Sequence, residues 1–364
     1  MFNKKLNASN LSNTIGISIS IILILVLTTF IEKKTIEKST EVIGSSLNTV
    51  KETTKQSLLT WSRQQRREAL SWAKSESVRE YVLGLLKDEG KTTKLRGSSH
   101  QQALRKLLTP QLAAKLYEGY FIISKNGINL ASSRDGNVGD STLINDSFLK
   151  SIWAGGTALS VPLKSDVVLR DKNGVPRADQ VSMFVGAPVV DKNNTIIAIL
   201  TFRINPNNDF YKILERGRIG ISGETYAVDT NGIMVSKSRF EKGLINLGLI
   251  KSNQSSSTNL AIVDPKVNLL ESPNKTLDSN LALTVMADSV TQHKESHNWD
   301  GYNDYRGVKV LGTWVWIEEL SLGLATEINK DEALDGAYFN NIFSAIFSAI
   351  VIIFILGLAF IQNK

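Results

Sequence analysis

Apolar residues crowd the two ends of the chain and form short, turn-punctuated runs between them. Residues 15–31 (IGISISIILILVLTTFI) are 17 positions without a charge. At about 1.5 Å per residue they span roughly 25 Å as a helix, just enough for a bilayer core. Residues 342–361 (IFSAIFSAIVIIFILGLAFI) are 20 uncharged positions, about 30 Å of helix. Lys4 and Lys5 precede the first run, but no small-x-small cleavage site follows it. The pattern therefore predicts an uncleaved anchor, and two transmembrane helices in all.

Between the runs, residues 32–88 have almost no Pro and little Gly. Ile36, Ile43, Leu47, Val50, Thr54, Leu58 and Trp61 recur at spacings of three and four, which predicts an amphipathic helix leaving the membrane. The long helix is assigned to 32–94. Arg63 to Glu68 (RQQRRE) is expected to be a solvated face of it. Residues 91–100 read as a polar loop. Residues 103–116 read as a short helix that Pro110 breaks or restarts.

The period then changes. Residues 119–133 are two apolar runs around Asn126-Gly127, a hairpin signal because both turn residues tolerate positive φ. The pattern returns at 224–238 around Asn231-Gly232, a weak repeat about 105 residues later. Residues 181–190 and 195–204 pair around 191–194, and residues 306–317 and 321–328 pair around Glu318-Glu319. Two α+β modules in series follow, at 95–206 and 207–335, joined by the turn-rich residues 205–208. Residues 251–259 (KSNQSSSTN) read as a low-complexity loop.

Charge sharpens this picture. The chain has 364 residues, 42 Lys+Arg, 35 Asp+Glu and a formal net charge of +7. Lys4 and Lys5, with no acidic residue before the first run, keep the N-terminus cytoplasmic, and two spans return Lys364 to the same side. The tails are thus 1–14 and 362–364, and residues 32–341 lie outside. That segment nets only +4, with the two signs interspersed, so nucleic acid is not an expected partner. There is no Cys and only three His. This excludes disulfides, thiolate metal sites and a Cys nucleophile. His293 and His297 flank Glu295 without a third ligand at a fitting spacing, so no metal or other cofactor is expected. No nucleophile elbow or phosphate loop is present, and no enzyme activity is expected.

Three stretches carry a family resemblance: residues 119–140 (GYFIISKNGINLASSRDGNVGD), 217–240 (GRIGISGETYAVDTNGIMVSKSRF) and 304–328 (DYRGVKVLGTWVWIEELSLGLATEI). With a tail, a span, a long outer helix, two hairpin modules and a second span, the chain resembles double-Cache sensor domains. These are the extracytoplasmic, PAS-like input domains of bacterial chemoreceptors, histidine kinases and cyclases. The resemblance covers about 30–330. It implies an α+β fold of two PAS-like antiparallel-sheet modules in tandem on a long N-terminal helix, in the bacterial cytoplasmic membrane. It implies a small-molecule ligand and an effector. No output domain follows the second span, so the effector is expected either in a longer parent chain or on another protein. Residues 151–156 (SIWAGG) stand where the amino-acid-binding subset carries Arg-x-Trp-Tyr.

A ligand carboxylate would want an Arg fork, and an ammonium would want an Asp among aromatic faces. In the distal module those types are Tyr120, Arg134, Asp135, Trp153 and Arg203. In the membrane-proximal module the analogues are Tyr226, Arg239, Asp304, Tyr305, Arg306 and Trp314. Asp304 to Gly307 is favoured as a structural turn, and of Trp314 and Trp316 one is expected in the core and the other in a pocket or solvent. The apolar stripe on the long helix suggests a parallel homodimer. The alternative role is a module that binds a partner protein and no small ligand.

Overall fold

The computed structural model describes residues 8–144, 146–165, 168, 180–273 and 280–362. The tail carrying Lys4 and Lys5, and Lys364, lie outside the described residues. The chain opens with α1 (Ala8–Ala73), 66 residues long, about 100 Å at helical rise. α2 (Glu76–Leu86), α3 (Thr92–Gly97) and α4 (Ser99–Lys115) follow. α1 thus ends at Ala73, short of the expected 94. The predicted polar loop 91–100 contains α3 and the start of α4, whose cap Ser98 accepts a hydrogen bond from the His100 N–H at 3.2 Å. α4 runs straight through Pro110 and closes on Leu116 in the left-handed region.

The distal sheet is built from β1 (Tyr117–Ile123), β2 (Asn129–Ser132), β3 (Ala158–Leu159), β4 (Leu163–Lys164), β5 (Val181–Val190) and β6 (Ile196–Ile204), with α5 (Asp146–Trp153) between β2 and β3. Its order is β2-β1-β6-β5-β3, antiparallel, with β4 also paired to β5. The β1–β2 turn is the predicted one, with Gly127 at φ +75° and its N–H donating to the Ser124 carbonyl at 3.0 Å. α6 (Phe210–Arg216) links this sheet to a second, of β7 (Glu224–Val228), β8 (Ser296–Asn303), β9 (Lys309–Ile317) and β10 (Leu322–Asn329). Its order is β7-β10-β9-β8, also antiparallel. α7 (Glu241–Asn246) and α8 (Val285–Thr291) lie between β7 and β8, and α9 (Lys330–Gln362) leaves the end of β10.

Period-two alternation gives each sheet two faces. Tyr120, Ile122, Val185, Leu200 and Phe202 point to the helices, where they pack with Leu58, Val78, Val82 and Leu104. Their neighbours Phe121, Ile123, Phe184 and Ile199 point outward and pack with Phe148 and Ile152 of α5. In the proximal sheet Val315, Ile317, Leu322 and Leu324 share the helix-side core, while Tyr226, Trp314, Trp316 and Ala325 face outward with Met286 and Val290 of α8. Trp314 and Trp316 are therefore both core. Residues i and i+2 share a strand face, so the expected split between core and pocket does not occur.

Leu47, Leu58 and Trp61 of the α1 stripe are buried in these cores. These three residues thus pack on the chain's own sheets, while Ile36, Ile43 and Val50 of the same stripe stay half-buried. Lys51, 1% exposed, fastens α1 to Glu295 at 2.6 Å. The RQQRRE run is not wholly solvated, since Arg66 donates to the Glu319 carbonyl at 2.5 Å and Arg63 pairs with the Glu319 carboxylate at 3.1 Å. His293 stacks on Trp316 at 4.3 Å, and His297 lies in β8 and stacks on Trp299 at 4.7 Å. Ser255, Ser256 and Ser257 of the 251–259 segment are interior too. The Glu241 carboxylate accepts from Ser255 Oγ, Ser256 N and Ser256 Oγ at 2.7–2.9 Å.

Two helices, Asn13–Ala73 and Lys330–Ile361, are long and apolar enough to cross a membrane by length and composition. Their apolar stretches pack along each other, with Thr28 and Ser348 hydroxyls hydrogen-bonded at 2.6 Å and Asn341 Nδ2 donating to the Glu32 carbonyl at 3.4 Å.

Candidate functional site

The outward face of the distal sheet carries a cavity of about 170 Å³. Phe121 of β1, Phe184 of β5 and Arg203 of β6 form its floor, and residues 140–144 and 163–165 form its sides. The floor follows from strand pairing, which sets Arg203 beside both Gly119 and Phe184. The guanidinium lies 5.2 Å from the Phe121 ring centre and 5.6 Å from that of Phe184. Two aromatic faces favour a cation in this desolvated position. Asn129 is 6% exposed and also lines the cavity. Its backbone is anchored, donating to the Asp140 carbonyl and accepting from the Gly139 N–H, both at 2.9 Å. Its side-chain oxygen is buried without a hydrogen-bond partner among the described residues. Buried polar atoms are normally satisfied, which marks this acceptor as an exception beside the cavity.

Of the distal candidates, only Arg203 lines this cavity. Tyr120 is fully buried on the opposite face, among the helices, where burial pushes its hydroxyl above the usual range. Arg134 is exposed, and Asp135, also exposed, pairs with Arg105 at 2.6 Å. Trp153 packs at the edge of the α5 cluster, away from the cavity. Asn129, Phe121 and Phe184 were not singled out from the sequence. Only the register of β5 on β6, which opposes Phe184 to Arg203, signals one of them.

The outward face of the proximal sheet holds Glu224, Tyr226 and Glu327, with Asp304, Tyr305 and Arg306 from the β8–β9 turn. Tyr226 and Tyr302 donate to the two oxygens of Glu327 at 3.0 and 2.5 Å. Tyr305 donates to Glu224 at 2.5 Å, and the backbone N–H of Arg239 donates to the other Glu224 oxygen at 2.5 Å. Arg306 donates to Asp304 at 2.7 Å and covers the Phe240 ring at 3.7 Å. Asp304 also accepts from the N–H groups of Arg306 and Val308, so the expected turn is present. Trp314 donates to Ser289 at 2.9 Å. The proximal candidates thus meet, but they satisfy one another.

All three carboxylates are almost wholly inside. Burial pushes Glu224 up, against hydrogen bonds from Tyr305 and Arg239 that favour its ion. It pushes Asp304 up against the attraction of Arg306. Among the described residues no cation pairs with Glu327, and burial together with the charge of Asp304 pushes it up to about 8. Uncompensated charge in a dry interior is costly, and protonation relieves it.

No family model and no curated protein matches the chain. Solved sensor domains are similar to it along most of their length. The sensor domain of the Vibrio cholerae histidine kinase DctB is 13% identical, with 81% of this chain and 98% of that chain covered and a TM-score of 0.46. The ligand-binding domain of the Campylobacter jejuni chemoreceptor Tlp3, in complex with L-norvaline, is 10% identical over 83% and 93%, with a TM-score of 0.43. That of the Pseudomonas aeruginosa amino acid chemoreceptor PctB, in complex with L-Arg, is 11% identical over 73% and 94%, with a TM-score of 0.36.

Proposed function

We propose that this chain is a membrane-anchored extracytoplasmic sensor of the double-Cache type, which binds a small molecule in its distal module and passes a conformational signal to a cytoplasmic effector. The observation that carries the reading is the contrast on one scaffold. Two antiparallel sheets stand along a single 66-residue helix, and the outward face of the distal one opens into a cavity floored by Arg203 and lined by Asn129, whose side-chain oxygen is buried without a partner among the described residues. Few polar groups among apolar walls is the usual make-up of a small-molecule site. The ligand is small and polar, with a donor group for Asn129 and an apolar part against Phe121 and Phe184. The role is recognition, with no chemical step.

The long apolar helices supply the anchor, with the sensor on the outer side and both termini in the cytoplasm. α1 and α9 carry the signal inward as a small shift of one helix past the other.

The test is thermal unfolding of the full chain in nanodiscs against a broad panel of small metabolites. A ligand at a hundred times its Kd adds about 2.7 kcal/mol to the folded state, so its addition raises the midpoint, and Asn129→Leu abolishes the rise. A rise that survives both Asn129→Leu and Arg203→Ala would place binding elsewhere, and a panel without any rise would remove the ligand from the reading. Reporter fusions at the two termini test topology, and an externally active reporter at either end would overturn it.

A further inference from the structure

The membrane-directed helix does not simply trail from the last strand. At its first turn the Glu332 carboxylate closes on the loop ahead of β7. One oxygen accepts from Ile221 N at 2.6 Å, and the other accepts from Ser222 N at 2.7 Å and from the Ser222 hydroxyl. Ser222 Oγ in turn accepts from the N–H of Asn329, the last residue of β10, at 3.0 Å. Three donors on one carboxylate make a charge-assisted clasp. Burial opposes ionisation of Glu332, but the hydrogen bonds from Ser222 and Ile221 outweigh it and hold the group below the usual carboxylate range.

The loop is built for this contact. Gly220 has φ +57°, and a Cβ there would run into the Glu332 carboxylate. A Cβ on Gly223 would strike the Ile219 carbonyl. From the other side, the Arg239 guanidinium donates to the Gly223 carbonyl at 2.6 Å and to that of Gly220 at 3.4 Å. Arg239 also ties the loop to the module interior. Its backbone N–H holds Glu224, Glu224 holds Tyr305, and Tyr305 shares a hydrogen bond with Ser238 at 2.8 Å. Ser238 N donates to Ser256 Oγ at 2.7 Å, and the adjacent Ser257 accepts from Tyr211 of α6, the helix that enters from the distal sheet, at 2.7 Å. A contiguous set of polar contacts thus runs from the junction of the modules to the stem of α9. Such a set transmits only if it ends in an element with two arrangements.

We propose that residues 219–223 are that element, a latch on the membrane-directed helix: while the loop holds Glu332, α9 moves with the proximal sheet, and its release uncouples the two. The latch deepens the sensor reading by naming where the proximal module grips its output helix. Arg239 is the discriminating residue. It touches the loop and the module interior, whereas the hydrogen bonds to Glu332 come from the loop; a second tie to the proximal sheet runs from Lys330 to the Asp300 carbonyl of β8 at 2.7 Å.

The chain has no Cys, so the exposed Asp335, one turn beyond Glu332, can be changed to Cys and carry a nitroxide as the sole label in the full chain in nanodiscs. Hydrogen exchange of the Ile221 and Ser222 amides is followed in parallel, with β10 amides as the check on folding. Glu332→Ala is expected to speed exchange at Ile221 and Ser222 at least tenfold and to raise the label's mobility. Arg239→Ala is expected to do both, and Ser222→Ala to do so more weakly. If Arg239→Ala loosens the loop but leaves the label as in the parent, the loop is local packing and the latch is wrong. If Arg239→Ala also loosens β10, Ser222→Ala decides on the same two readouts. No ligand is added, so failure here leaves the metabolite screen unaffected, and failure of the screen leaves this result standing.

Discussion

The two sheets present the same kind of face to the outside and use it in opposite ways. In the distal module Phe121, Phe184 and Arg203 leave a cavity, and Asn129 beside it keeps a buried oxygen without a partner among the described residues. In the proximal module the same face is filled by Glu224, Glu327 and three tyrosines, and each carboxylate oxygen of the two glutamates accepts a hydrogen bond. Similar residue types thus give a receptive face where strand register leaves them apart and a closed one where it brings them together. The difference predicts that disturbing the proximal face costs stability, and that disturbing the distal face costs recognition.

The largest effect expected is a pH dependence belonging to the proximal face alone. Glu327 is raised to about 8, against roughly 4.3 in an unfolded chain. Between those values the folded state holds a proton that the unfolded state has released. Stability therefore falls as pH rises through that window, by up to about 1.4 kcal/mol per pH unit, several kcal/mol in all. Glu327→Gln keeps an uncharged group there and flattens the slope. Denaturant unfolding of the full chain at a series of pH values, read by tryptophan fluorescence, measures both. A parent and variant with parallel pH profiles would show that Glu327 does not titrate in this window.

Next in size is truncation of the same network. Glu224→Ala leaves the Tyr305 hydroxyl and the Arg239 N–H without their acceptor. At about 1–3 kcal/mol per buried unsatisfied group, the expected loss is about 3 kcal/mol. Gly312→Ala comes after it. A Cβ there meets Glu327 Cγ at 2.9 Å and crowds the Tyr302 hydroxyl, an overpacking worth about 2 kcal/mol. Both are read as a lower unfolding midpoint, and a midpoint unchanged in either would mean the proximal interior is looser than its hydrogen bonds imply.

The sequence made the architecture legible wherever period and turn chemistry agreed. The β5–β6 and β9–β10 pairs and the Gly127 turn lie where alternation and Asn-Gly place them, because both signals are local. β8 was illegible, since an edge strand reading SHNWDGYN has mostly exposed or half-buried positions and no apolar alternation. Ser255 and Ser256 read as solvated because the group that satisfies them when buried, the Glu241 carboxylate, lies 14 and 15 residues earlier in the chain. The site divides the same way. Arg203 was visible as a cation within an apolar strand, whereas the roles of Tyr120 and Asp135 depended on which sheet face and which partner, Arg105, they meet. Glu327 went unremarked for a related reason. Its consequence lies in having two tyrosine hydroxyls on it and no ion pair among the described residues, a fact of tertiary contact.

The smallest predicted change is the one that separates the two faces most cleanly. Asn129→Leu on the distal face removes a buried acceptor that has no partner, so it relieves a desolvation cost and adds apolar contact with Phe121 and Phe184. Stability should hold or rise by about 1 kcal/mol, while ligand binding is lost. The same class of replacement on the proximal face, Glu224→Leu, strands two donors and must destabilise. Opposite signs for one kind of substitution follow if the distal polar group lacks a partner in the fold and the proximal ones hold each other. Gains of stability at the expense of function are common at binding sites for this reason. Denaturant midpoints for the two leucine variants, measured side by side, check it. A loss above about 2 kcal/mol for Asn129→Leu would make the distal amide a structural strut, and the cavity beside it would no longer be set apart from the filled face below.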